Sequence, residues 1–138
     1  MIKILKYGEV ENKDIFSRVV PEVNVEDIVA DIIKNKTPVK YARTIVHSYN
    51  FDVQKDLFLF KPTASLTKNK EKLLELCDEF LNSNSDKLQL FYIWGHSYEL
   101  DVEDDWAFFE KVCQKLAGRE DIYYCTNIEA FEYIKTLW

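Results

Sequence analysis

The chain has 138 residues, with 18 basic and 24 acidic side chains, a formal net charge of −6, 47% hydrophobic and 14% aromatic content. This length suits one domain with one core, and the apolar content excludes disorder as the main state. The negative field disfavours phosphate backbones, so nucleic acid is not an expected partner. The three glycines, Gly8, Gly95 and Gly118, cannot assemble a Walker loop or a G-x-G-x-x-G turn. Cys77, Cys113 and Cys125 form no C-x-x-C pair and read as free thiols of a reducing cytosol, with Cys77 and Cys113 pointing inward by helical periodicity. The opening Met-Ile-Lys-Ile-Leu-Lys lacks the apolar length of a secretion signal, and no run reaches the roughly 18 apolar residues of a membrane span. A soluble cytoplasmic protein without a membrane partner is expected.

Strand-like and helix-like patterns alternate, which predicts α/β architecture. Ile2–Tyr7 is a short predicted strand, followed by a polar segment, Gly8–Lys13, and an amphipathic stretch through Val20 that Pro21 interrupts. Asn24 can cap a helix with Val25, Ile28, Val29, Ile32 and Ile33 on one face, ending near Thr37-Pro38. Val39–Val46 and Leu57–Phe60 are predicted strands, the second ending before Pro62. Lys68–Leu81 carries Leu73, Leu76, Cys77 and Phe80 at spacings of three and four, the pattern of an amphipathic helix, and Asn82-Ser83-Asn84-Ser85 is its loop. Leu88–Trp94 is an apolar run expected at the centre of the sheet, buried on both faces. Trp106, Phe109, Cys113 and Leu116 mark the next helix face, ending near Gly118. Ile122–Cys125 is a short strand, and Asn127 can cap a last helix with Ile128, Phe131, Ile134 and Trp138 inward. Trp94 and Trp106 are expected to pack together beneath the loop at His96.

In such folds chemistry gathers beyond the carboxyl ends of the strands. His96 stands there, in Phe91-Tyr92-Ile93-Trp94-Gly95-His96-Ser97, and imidazole suits acid and base roles near neutrality. A structural histidine bonding a nearby carbonyl is the plain alternative, and position alone weighs the two equally. Ser97 offers half of a G-x-S-x-G elbow, but Glu99 occupies the place of the second glycine, which argues against a serine hydrolase. Glu99, Asp101, Glu103, Asp104 and Asp105 could join His96 and His47 in a metal site; helix initiation explains them more simply, since acids offset the dipole at a helix start. Two histidines are too few for a catalytic zinc without a carboxylate, so no metal ligand is assigned. His47 follows the strand Val39–Val46 and can share a cleft with His96, while Arg43 in that strand can hold an anionic group, although an arginine inside a strand is more often paired with a nearby acid. Tyr92, Trp94, Tyr98 and Trp106 could form a sugar-stacking surface, with core packing the expected role of most.

Three blocks resemble the polysaccharide deacetylase family: Lys40-Tyr41-Ala42-Arg43-Thr44; Phe91-Tyr92-Ile93-Trp94-Gly95-His96-Ser97-Tyr98-Glu99-Leu100-Asp101 followed by Trp106; and Asp121-Ile122-Tyr123-Tyr124-Cys125-Thr126-Asn127. The likeness covers residues 39–138 in consistent order, while residues 1–38 match nothing in the family. It implies a partial (β/α) barrel of four to five strands alternating with helices, within a single domain. It also implies descent from enzymes that remove acetyl groups from sugars with a divalent metal such as zinc. His96 matches the late histidine of the family, which implies the role of general acid to the departing amine. Trp94, Tyr98, Arg43 and His47 are the candidate substrate-binding residues from their positions in the sequence.

The family's early Thr-Phe-Asp-Asp and His-x-x-x-His blocks, which supply the base and metal ligands, have no counterpart here, nor does its Arg-Pro-Tyr turn. The resemblance therefore implies a C-terminal half that holds no cofactor alone and is inactive as an isolated chain. A half barrel would leave apolar strand surface uncovered, so the expected partner is a second copy in a homodimer or a separately encoded metal-binding half, with a sugar as ligand. A non-catalytic carbohydrate-binding or protein-interaction module derived from the same fold is the alternative.

Overall fold

The computed structural model describes residues 2, 3 and 25–138. In chain order the elements are β1 (Ile2–Lys3), α1 (Val25–Lys36), β2 (Ala64–Ser65), α2 (Lys70–Leu81), β3 (Leu90–Phe91), β4 (Ile93–Trp94), α3 (Ser97–Val102), α4 (Trp106–Leu116), β5 (Tyr123–Tyr124) and α5 (Asn127–Lys135). The rest of the predicted strand Ile2–Tyr7, the segment through Pro21 and the Asn24 cap lie outside the described residues.

Every strand pairing among the described residues is parallel. β1 lies between β3 and β5, and β2 pairs with β4. Only Tyr92 separates β3 from β4, and its carbonyl accepts from the backbone N–H groups of Thr63 (2.8 Å) and Ala64 (3.3 Å). Leu90–Trp94 is therefore one extended run with β1 on one side and β2 on the other, the central place predicted for it. Beyond β2, Arg43 bridges Phe60 in parallel, and Ala42 N–H and Thr44 N–H donate to the carbonyls of Leu57 and Phe60, each at 2.8 Å. Parallel pairing with helices between strands is the α/β arrangement.

The alternation of side chains along Leu90–Trp94 divides the core in two. Phe91 and Ile93 face a cluster with Leu66, Leu73, Leu76, Cys77, Phe80, Leu100, Val112 and Leu116, contributed largely by α2, α3 and α4. Leu90, Tyr92 and Trp94 face the other way, onto Leu57, Phe60 and α5 residues Ala130, Phe131 and Ile134. A fully buried side chain such as Phe91 contributes on the order of 2–3 kcal/mol. The chain's own helices thus cover both faces of its most apolar strand.

Local chemistry sets the helix ends. The Asn69 side chain, on a left-handed residue (φ 55°), accepts from Lys72 N–H at 3.2 Å and starts α2 two residues later than the predicted Lys68. α4 stops at Gly118 (φ 72°). α5 is capped by Thr126 rather than Asn127: the Thr126 hydroxyl accepts from Glu129 N–H, while the Glu129 carboxylate accepts from Thr126 N–H at 2.7 Å.

Several expectations are corrected. The strand placed before Pro62 lies after it, because Thr63, Ala64 and Leu66 supply the N–H groups that Pro62 lacks. Val39–Val46 contracts to pairing at Ala42–Thr44, leaving Val39, Ile45 and Val46 exposed. α3 was not expected at all; Leu100 anchors it in the core, and a left-handed Asp104 (φ 54°) separates it from α4. The buried face of α4 runs through Val112 and Leu116, with Phe108 and Phe109 beside them, so Cys113 is exposed. Trp106 is 45% exposed and donates from Nε1 to Asp101 at 2.7 Å. It does not join Trp94, which faces α5 across the sheet from α4. Ile28, Ile32, Ile128 and Trp138, expected inward, are also exposed.

Candidate functional site

Parallel strands aim their following loops at one edge of the sheet, and four segments meet there. They are Arg43 to Tyr49 after the Phe60 bridge, Thr67 and Lys68 after β2, Gly95 and His96 after β4, and the first turn of α3. Ser48 N–H donates to Pro62 O at 2.9 Å and Tyr49 N–H to Thr63 O at 3.1 Å, which ties the His47 loop to the β2 segment. Tyr49 takes the left-handed backbone (φ 51°), a strained conformation for an aromatic residue.

Trp94 is the hub. Its Nε1 donates to His47 Nε2 at 3.2 Å, and the Arg43 guanidinium carbon lies 3.9 Å from its ring centroid. Lys68 Nζ lies 5.9 Å from the same ring. The Trp94 and His96 rings meet edge to face at 5.7 Å, and Tyr98 stacks on His96 at 5.2 Å. All five candidates of the sequence analysis, His96, Trp94, Tyr98, Arg43 and His47, are brought together. Their presentation differs: Trp94 is 7% exposed beneath Arg43, whereas Tyr98 is 61% exposed and offers the larger open aromatic surface.

The hydrogen bonds fix the state of His47. Indole N–H only donates, so His47 Nε2 must be the unprotonated nitrogen and Nδ1–H faces the Tyr49 hydroxyl at 3.2 Å. Burial, then the positive charges of Lys68 and Arg43, hold the His47 pKa below its ordinary value, which keeps that neutral form. His96 Nδ1 faces Glu99 Oε1 at 3.4 Å, too long for a good hydrogen bond, and this buried nitrogen has no other polar partner. Burial pushes the Glu99 carboxyl up. Hydrogen bonds from His96 N–H (3.2 Å) and the Thr67 hydroxyl (3.2 Å), together with the nearby His96 ring, outweigh it, and the net pKa lies below the usual range. Glu99 is thus an ionised carboxylate beside the His96 ring.

The other acids go elsewhere. Asp101 takes the Trp106 indole N–H, and Asp105, at the N-cap of α4 but without a side-chain cap, pairs with Lys70 at 2.5 Å. The expectation of capping therefore holds for Glu99 and not for Asp105. Ser97 makes no hydrogen bond to either histidine among the described residues, so no activated serine is assembled. Nor do these residues fit a divalent metal: the unprotonated nitrogen of His47 is occupied by Trp94, and no group of three His, Cys, Asp or Glu converges among the described residues.

Sequence reading missed Tyr49, Thr67 and Lys68. Ending the strand at Phe60 hid the last two: once β2 is recognised beyond Pro62, Thr67 and Lys68 fall in the loop at its carboxyl end. No helix among the described residues is long and apolar enough to cross a membrane. No family model, curated protein or solved structure matches the chain.

Proposed function

We propose that this chain is a polysaccharide deacetylase-like protein that carries the general-acid part of a carbohydrate deacetylase site and is catalytically incomplete alone. The observation that carries this reading is the setting of His96: a half-buried imidazole at the carboxyl edge of a parallel sheet, with Nδ1 against an ionised Glu99 and a ring held between Trp94 and Tyr98. With Nδ1 facing the carboxylate, Nε2 is the atom left to pass a proton to a departing amine nitrogen. Parallel pairing and alternating helices support descent of the sheet from part of a (β/α) barrel. In this reading the metal and the base come from a separately encoded half, in keeping with the lack of a group of three His, Cys, Asp or Glu among the described residues. The exposed Tyr98 ring supports the second reading, a non-catalytic carbohydrate-binding or protein-interaction module.

The test is acetate release from acetylated chito-oligosaccharides. The purified chain is stripped with chelator and supplied in turn with zinc, cobalt or nickel. It is assayed alone and with a polypeptide bearing the Asp and His-x-x-x-His blocks. The expected result is no turnover alone, turnover on complementation, and a loss of about 10²–10⁴-fold in His96→Ala, the usual weight of a general acid. Metal-dependent turnover by the chain alone would overturn its incompleteness. Saturable sugar binding without complementation would favour the binding module, and absence of both would overturn the carbohydrate reading.

A further inference from the structure

A second concave site lies at the opposite edge of the sheet. The cleft has a volume of about 430 Å³ and is lined by Lys34, Lys40, Lys55 and Lys135, together with Asp56, Leu57 and Phe58. Lys40 and Lys55–Phe58 precede the paired residues Ala42–Thr44 and Phe60, whereas His47 and His96 follow their strands. Parallel pairing places the two sites at opposite ends.

Four lysines line this cleft in a chain of net charge −6. The nearby acids do not balance them. Glu132 is shared by Lys40 (3.5 Å) and Lys135 (3.1 Å), and Asp56 Oδ1 accepts from the backbone N–H groups of Phe58 and Leu59. Among the described residues, two carboxylates against four lysines leave an excess of two positive charges. Lys55 Nζ lies 4.7 Å from the Trp138 ring centroid, a contact that cancels no charge.

Helix dipoles account for only part of this arrangement. Lys34 and Lys135 stand in the last turns of α1 and α5, where cations are favourable, but Lys40 and Lys55 belong to neither helix. The terminal carbonyls also have other donors: Ile33 O accepts from the Thr37 hydroxyl, Tyr133 O from the Thr136 N–H and hydroxyl, and Ile134 O from Leu137 N–H. Holding four like charges around one concavity costs free energy unless an anion enters.

We propose that this cleft binds a small polyanion carrying at least two phosphate-type groups. The volume falls in the range of small-ligand sites, about 300–1,000 Å³. Phe58 and Leu57 add an apolar wall for an organic body. Lysines act as point charges without the planar fork of arginine, so affinity follows the number of charges on the ligand more than its geometry.

Calorimetry at low salt with inorganic phosphate, pyrophosphate, tripolyphosphate and adenosine triphosphate tests this site on the intact chain. Affinity is expected to rise with charge and to fall as salt is added. The double variant Lys34→Gln/Lys55→Gln should bind tripolyphosphate at least about tenfold more weakly, with the far-ultraviolet spectrum unchanged because both side chains are exposed. Lys111→Gln on α4, outside the cleft, should bind as wild type. Tighter binding of adenosine triphosphate than of tripolyphosphate identifies a nucleotide-type ligand that uses the Phe58 wall; equal binding identifies an inorganic one. The proposal is overturned if wild type shows no saturable binding, or if Lys111→Gln weakens binding as much as the double variant.

Discussion

Gly95 joins the central strand to His96, and replacing it with alanine tests how tightly that junction is built. An added Cβ would lie 2.9 Å from Leu66 Cβ and 3.6 Å from Leu66 Cδ2. The first distance is below contact, and Leu66 Cβ cannot swing aside, because Leu66 N–H donates to Trp94 O at 2.8 Å and fixes its backbone. Relief must come from moving β2 against β4. Overpacking of this kind costs about 1–3 kcal/mol, against a gain of about 0.4–1 kcal/mol from restricting the unfolded chain. The net expectation for Gly95→Ala is a destabilisation of about 1–2 kcal/mol. For 138 residues the unfolding entropy is about 0.29 kcal/mol/K, so Tm should fall by about 3–7 °C. Urea denaturation of a double-mutant set locates the cause. Because alanine retains Cβ, the cost should persist in a Leu66→Ala background, and it should largely vanish in Leu66→Gly. A Gly95→Ala protein as stable as wild type, or an equal cost in the Leu66→Gly background, would refute the reasoning.

Burial predicts opposite fates for two large apolar residues on the same side of the sheet. Trp106→Ala should cost less than about 1 kcal/mol because the ring is already half exposed, whereas Leu76→Ala, fully buried, should cost about 2–5 kcal/mol in the same urea titration. His47 provides a pH test. Its folded pKa lies below the ordinary value of about 6.5, so the unfolded chain takes up the proton first as pH falls. Its contribution is therefore complete above about pH 6.5 and is lost as pH drops toward the folded value. Between about pH 7.5 and pH 5, thermal melts of wild type should lose more stability than those of His47→Gln, whose side-chain oxygen can still accept from Trp94. Parallel losses in the two proteins would contradict the assignment of a neutral His47.

Local pattern alone located α2, α4 and the apolar run ending at Trp94, because a spacing of three and four and an unbroken apolar stretch are properties of the segment itself. It also put His47 and His96 after strands, which in a parallel sheet is enough to place both at one edge. What the segment cannot contain is its partner. The inward face of α4 passes through Val112 rather than Cys113 because Phe91 and Ile93 lie opposite it. Trp94 faces α5 and not Trp106 because it shares a pleat with Leu90 and Tyr92. The strand beyond Pro62 exists because Tyr92 and Trp94 offer carbonyls to Thr63, Ala64 and Leu66, segments 28 residues or more apart. The same holds for the sites. The neutral state of His47 depends on Trp94, Lys68 and Arg43 reaching it through space. The lysines at positions 34, 40, 55 and 135 are scattered surface charges in the sequence and become one cleft only when helix ends and strand starts are gathered at the edge opposite His96. Burial and charge depend on distance in space, and only tertiary packing sets those distances.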